Sequence, residues 1–144
     1  MRPRRHRDAH GSASIEAAVG IPAFSLFVGL IIFGGRTATT HEAVQSAAAD
    51  AARSASIARS VLDARHQAEQ AARDSLANQH IDCRSVTVSV DTDAFTAPVG
   101  QPASVAVTIT CGLDLSDLTV PGVPGTRRIR ATMASPLDTW RERA

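Results

Sequence analysis

The 144-residue chain contains no lysine and no tyrosine, and it has only four phenylalanines, one tryptophan and two cysteines. With aromatics at 3% of the chain, stacking platforms for bases or sugars are scarce. A formal net charge of +1 offers no global attraction to nucleic acid, so no nucleic-acid partner is expected. Catalytic patterns are missing too. No GxSxG elbow, Walker loop or paired-acid motif occurs. The stretch "HQAEQ" at His66 lacks the two-histidine spacing of a zinc helix. His6, His10, His41 and His80 fall in no ligand pattern either. Ser, His and Asp are all present, but nothing in the spacing sets them in a triad. The expectation is a protein that is not an enzyme and holds no cofactor and no metal.

What the chain does have is a charge-free apolar run. Ala17 to Gly35 carries no ionisable side chain. As a helix it would span roughly 28 Å at about 1.5 Å per residue, close to the hydrocarbon thickness of a bilayer. Arg2, Arg4, Arg5 and Arg7 precede it, and Arg36 alone follows closely. The positive-inside rule then puts residues 1–11 in the cytoplasm, a transmembrane helix at 12–36, and residues 37–144 outside the cell membrane. A buried core helix is the competing reading, but a chain this small has little else with which to bury a helix that is apolar all round.

One carboxylate, Glu16, stands at the start of this run, and Gly11 stands five positions before it. The stretch "HGSASIEAAVGIP", a basic leader, a Gly, four residues, a Glu and a long apolar helix, resembles the type IV prepilin cleavage signature. Within that superfamily it is most similar to the TadE-like minor pilins, or pseudopilins, of tight-adherence (Flp) pilus systems. The exit Phe33-Gly34-Gly35-Arg36 fits the same likeness, which covers about residues 8–50. The resemblance implies cleavage after Gly11, leaving Ser12 as the new N-terminus. It also implies partners: the inner membrane, a prepilin peptidase, other pilins or pseudopilins, and the pilus platform proteins with their assembly ATPase.

Physical chemistry suits those residue types. Gly11 has no side chain, so a peptidase can approach its backbone closely. Cleavage would free an α-amino group on Ser12. In a packed filament a neighbour's Glu16 could pair with that amine and set the axial register. The alternative is that Glu16 lies solvated at headgroup level, favoured there by the helix macrodipole. Gly20, Pro22, Ser25 and Gly29 fit close helix packing within the membrane, or simply reflect how common Gly and Pro are in membrane helices. The other class of function open to the chain is a plain single-pass or secreted binding protein with no pilus role.

Beyond Arg36 the chain reads as an α+β domain. From Thr37 to about residue 79 it is rich in alanine and free of Gly and Pro. Val44, Ala48, Ala51, Ala55, Ala58 and Leu62 recur at steps of four and three, and Val61, Ala64, Ala68 and Ala71 continue on a shifted stripe. The pattern predicts a nearly continuous helix, softened at Gly34-Gly35. Opposite charges at helical spacing, Asp50 with Arg53 and Glu69 with Arg73, would support its exposed face. After Asn78 the period switches to two. Strands are expected at about 84–91, 103–111 and 127–134, with turns at "TDAFTAPVGQP" and "VPGVPGT". The predicted whole is a long N-terminal helix, transmembrane then amphipathic, packed on a three-stranded antiparallel sheet. A hairpin register that sets Asp91 against Ala103 sets Cys83 against Cys111, which predicts a disulfide in an oxidising compartment. Free thiols or a metal site are the rivals. No CxxC or histidine spacing supports the metal. The arginines of "TRRIR" are expected on the wet face of an edge strand.

Overall fold

The computed structural model describes residues 10–116 and 125–140, with side chains described from Ile15 onward. The basic leader and most of the "VPGVPGT" turn lie outside the described residues. Two helices, α1 (His10–Ile57) and α2 (Val61–Asn78), are followed by three strands, β1 (Cys83–Asp91), β2 (Ser104–Asp114) and β3 (Thr126–Pro136). The strands form an antiparallel meander in the order β1-β2-β3. This is the predicted α+β architecture.

The helical part departs from expectation in two places. No softening occurs at Gly34-Gly35, because α1 runs through both glycines. Three threonine hydroxyls just past the glycines find partners within the helix by donating one turn back: Thr37 to Phe33 O at 2.9 Å, Thr39 to Gly35 O at 3.1 Å and Thr40 to Arg36 O at 2.7 Å. The interruption falls instead at residues 58–60, so the single helix expected over 37–79 is two helices. Ser60 caps α2 from an extended backbone conformation. Its hydroxyl accepts the Asp63 N–H at 3.2 Å and donates to the Asp63 carboxylate at 2.8 Å. The sequence "SVLD" is a short-armed capping arrangement. α2 then folds back along α1, with the Ser75 hydroxyl donating to the Asp50 carboxylate at 2.8 Å. Asp50, expected to pair with Arg53, is thus tied across the hairpin, while Glu69 and Arg73 do form their ion pair, at 2.6 Å.

Folding back solves a burial problem. Alanine alone buries little area per turn, but two alanine faces approach closely. Ala47, Ala48, Ala51, Ala52 and Ala55 of α1 are buried, as are Ala64, Ala68, Ala72 and Leu76 of α2. Leu62, expected on the seam, lies beside the turn and is 78% exposed. We predict that Ser60→Ala destabilises the domain by about 1 kcal/mol, the usual cost of a lost cap, read as a lower urea midpoint at unchanged slope. α2 ends in a Schellman pair, Ile81 N–H to Leu76 O and His80 N–H to Ala77 O, with His80 in the left-handed region at φ 56°.

The second layer is the sheet. Val105, Val107, Ile109 and Cys111 of β2 face the core with Ile129 of β3. α1 lies over β2 and β3, and α2 over β1. The β1–β2 register is not the expected one. Asp91 pairs with Ala106, not Ala103, and Cys111 stands opposite Val86. The reason is parity. Directly opposed residues share a face, so burying Val86, Val88 and Val90 with Val107, Ile109 and Cys111 requires even positions of β1 to oppose odd positions of β2, as observed, and excludes the expected pairing. A 3₁₀ turn, Asp93–Thr96, occupies the connection and buries Phe95 against the core.

Candidate functional site

Two contacts orient the molecule. The Arg127 guanidinium, at the start of β3, lies 5.9 Å from the Phe33 ring centroid. Near the end of β3, the Ser135 hydroxyl donates to Ser56 at 3.1 Å. β3 therefore runs alongside α1 in the same direction. The head has a proximal end beside the apolar run and a distal end at the helical turn. Arg128 and Arg130 are on the exposed sheet face, as expected; Arg127 is not, because alternation puts it on the same side as buried Ile129, toward α1.

N-terminal to the head, α1 stands clear of the rest of the fold. Ile15 is 70% exposed, Phe24 68% and Phe27 59%, and Val19, Ile21, Ile31 and Ile32 are exposed as well. The helix is long and apolar enough to cross a membrane, and none of its most apolar stretch is buried inside the protein. A buried core helix is thereby excluded. Apolar surface of this kind gains roughly 25 cal/mol per Å² on leaving water, so the segment calls for a bilayer or a bundle of like helices.

Glu16 is exposed and lies beyond the first turn of α1, which contains no acid. Macrodipole stabilisation fades within that turn, so it gives a weak account of this carboxylate. Gly11 and Ser12 belong to the first turn of α1. Helical spacing groups the small residues differently from a single packing stripe. Pro22, Ser25 and Gly29 share one face at steps of three and four, while Gly20 lies with Glu16 on the opposite side. A Cβ at Gly20 would meet no atom within 4 Å. The helix continues through Pro22. Ser25 donates to Ile21 O at 2.9 Å, an intrahelical partner for its hydroxyl.

Cys83 and Cys111 are joined by a disulfide, with S–S 2.05 Å and Cα–Cα 5.4 Å. They are not directly opposed. Cys83 pairs with Leu113, and a register shift between Cys83 and Ser85 turns the Cys83 side chain back to the core face, where Cys111 is fully buried. Beside it, Arg84 and Asp114 approach to 3.6 Å. Hydrogen bonds from Ser116 hold the Asp114 carboxyl below its ordinary range, with Arg84 a smaller influence. His66 lines an open surface hollow of about 320 Å³ with Glu69, Gln70 and Arg73.

The fold thus defines a stalk-and-head protein: an exposed apolar helix continuing without a break into a small disulfide-bonded α+β domain. Residues 11–53 match the family model of TadE-like proteins. The match begins at Gly11, contains Glu16 and the whole apolar run, and is consistent with a TadE-like protein of a tight-adherence pilus system. Neither a curated protein nor a solved structure matches the chain.

Proposed function

We propose that this protein is a pilin-like subunit that takes part in assembling a tight-adherence pilus or a related secretion machine. The observation that carries the reading is the exposed, charge-free α1 segment with Glu16 at a fixed distance from Gly11, inside the TadE-like match. In this reading the chain is inserted in the inner membrane with its head outside the cytoplasm. A prepilin peptidase cuts between Gly11 and Ser12. The platform proteins and their ATPase then move the subunit into, or to the tip of, a filament of other pilins. Its mechanism is assembly rather than turnover of a substrate.

The chemistry is one of compensation. Cleavage creates a cationic amine at the head of an apolar helix, and Glu16 of a neighbour supplies the anion. Each group is costly in hydrocarbon alone, and together they are neutral. The small faces of α1 let neighbouring helices approach closely enough for the pair to form. N-terminal sequencing of the protein from membranes of a piliated strain is expected to begin at Ser12. A chain starting after Ala38 would identify a removed signal peptide, and a retained Met1 or Arg2 a plain anchor; either result overturns the proposal.

A further inference from the structure

We propose that the proximal end of the sheet is a seat for anionic phospholipid headgroups, so that the head rests on the membrane surface instead of swinging free above it. This rests on the reading of α1 as a membrane span.

The Arg127–Phe33 contact carries the inference. Phe33 belongs to the last turn of the charge-free run, and Arg36 ends that run. With the run in the hydrocarbon core, Phe33 to Arg36 marks the depth of the headgroups. Arg127 is held beside Phe33 and therefore reaches the same depth. Arg128 follows on the outer face of β3 and is exposed. Arg84, on the other edge strand, is also at this end, because Cys83 pairs with Leu113 and Leu113 pairs with Arg127. The acids facing this end among the described residues are Asp82 and Asp114; Asp114 and Arg84 offset each other at 3.6 Å, which leaves Arg127 and Arg128 against Asp82. The distal end has the opposite balance, with Asp63, Asp91, Asp93 and Asp138 against Arg59 and Arg65, and the Arg65 guanidinium donates to the Thr92 hydroxyl.

Guanidinium is well matched to phosphodiester oxygens. It is planar, always charged and able to donate two parallel hydrogen bonds. The basic end is also continuous with the apolar helix that would occupy the bilayer. Together, sign of charge and position select an anionic lipid surface over a neutral one or a protein partner. A seated head would fix the tilt of α1 and present Glu16 at a defined depth.

The test uses the full chain reconstituted into two vesicle types, phosphatidylcholine alone and phosphatidylcholine with phosphatidylglycerol. Amide hydrogen exchange is followed over Thr126 to Arg130. Exchange there is expected to slow by roughly fivefold for each arginine engaged in the anionic vesicles, and the slowing is expected to disappear in high salt. Arg127→Gln with Arg128→Gln should abolish it. Arg128→Gln alone, on the exposed face, should weaken it while sparing the Phe33 contact. Equal exchange in the two vesicle types, or slowing that survives the double substitution, would overturn the seat while leaving the anchor intact. Flotation with neither vesicle would overturn the anchor and the seat together.

Discussion

Glu16→Ala is expected to deplete the protein from sheared pilus fractions by roughly tenfold or more, the equivalent of about 1.4 kcal/mol of lost assembly free energy per contact, while its level in the membrane stays unchanged. A carboxylate that merely sits at the headgroups is dispensable, and its removal makes α1 a better anchor. A carboxylate that pairs with a neighbour's amine is different: removing it strands a cation in hydrocarbon, which is more costly than never burying the pair. Glu16→Gln separates the charge from the shape. The amide fills the same space and can still accept a hydrogen bond, so partial assembly is expected. Normal incorporation of Glu16→Ala into pili, in a strain shown to make them, would end the register hypothesis.

Replacing both cysteines, Cys83→Ala with Cys111→Ala, is expected to destabilise the head by about 3.5 kcal/mol. The bridge spans 28 positions, and a loop of that size gives an unfolded-chain entropy term of about that magnitude. For a domain near a hundred residues, the melting temperature should fall by roughly 15–25 °C. The loss is large because the domain has little else to replace it. Its helices pack through alanine, and its sheet has three strands, near the minimum for independent stability. The bridge also ties the edge strand β1 to the central strand at the shifted register beside Cys83. Thermal unfolding with and without reductant checks the expectation. A drop of only a few degrees would mean that the core alone sets the register.

Several features could be read directly from residue periodicity. Val86, Val88 and Val90, and again Val105, Val107 and Ile109, alternate with polar residues, and the three strands lie where that alternation places them. The apolar run from Ala17 to Gly35 was equally legible, because no fold of a chain this small can hide it. The break at residues 58–60 had two signals, the shifted alanine stripe and the Ser60–Asp63 cap. Helix propensity outweighed both, because alanine-rich segments favour continuation whatever their tertiary role. The register error had a signal too, since the two valine sets share a face only when even positions of β1 oppose odd positions of β2. Aligning the cysteines directly concealed it. A bulge let the protein satisfy the valine pattern and the disulfide together.

Local sequence was sufficient for the three strands, the membrane-length helix and the identity of the two bridged cysteines, because each depends on spacing along the chain. The hairpin of α1 and α2, the pairing of Asp91 with Ala106 and the approach of Arg127 to Phe33 depend on which surfaces meet. Alanine faces gain enough contact only when two helices close on each other, and β3 comes beside the end of the apolar run only when the sheet has packed against α1. Those outcomes belong to the packed structure, where long-range burial decides among conformations that the local pattern leaves nearly equal.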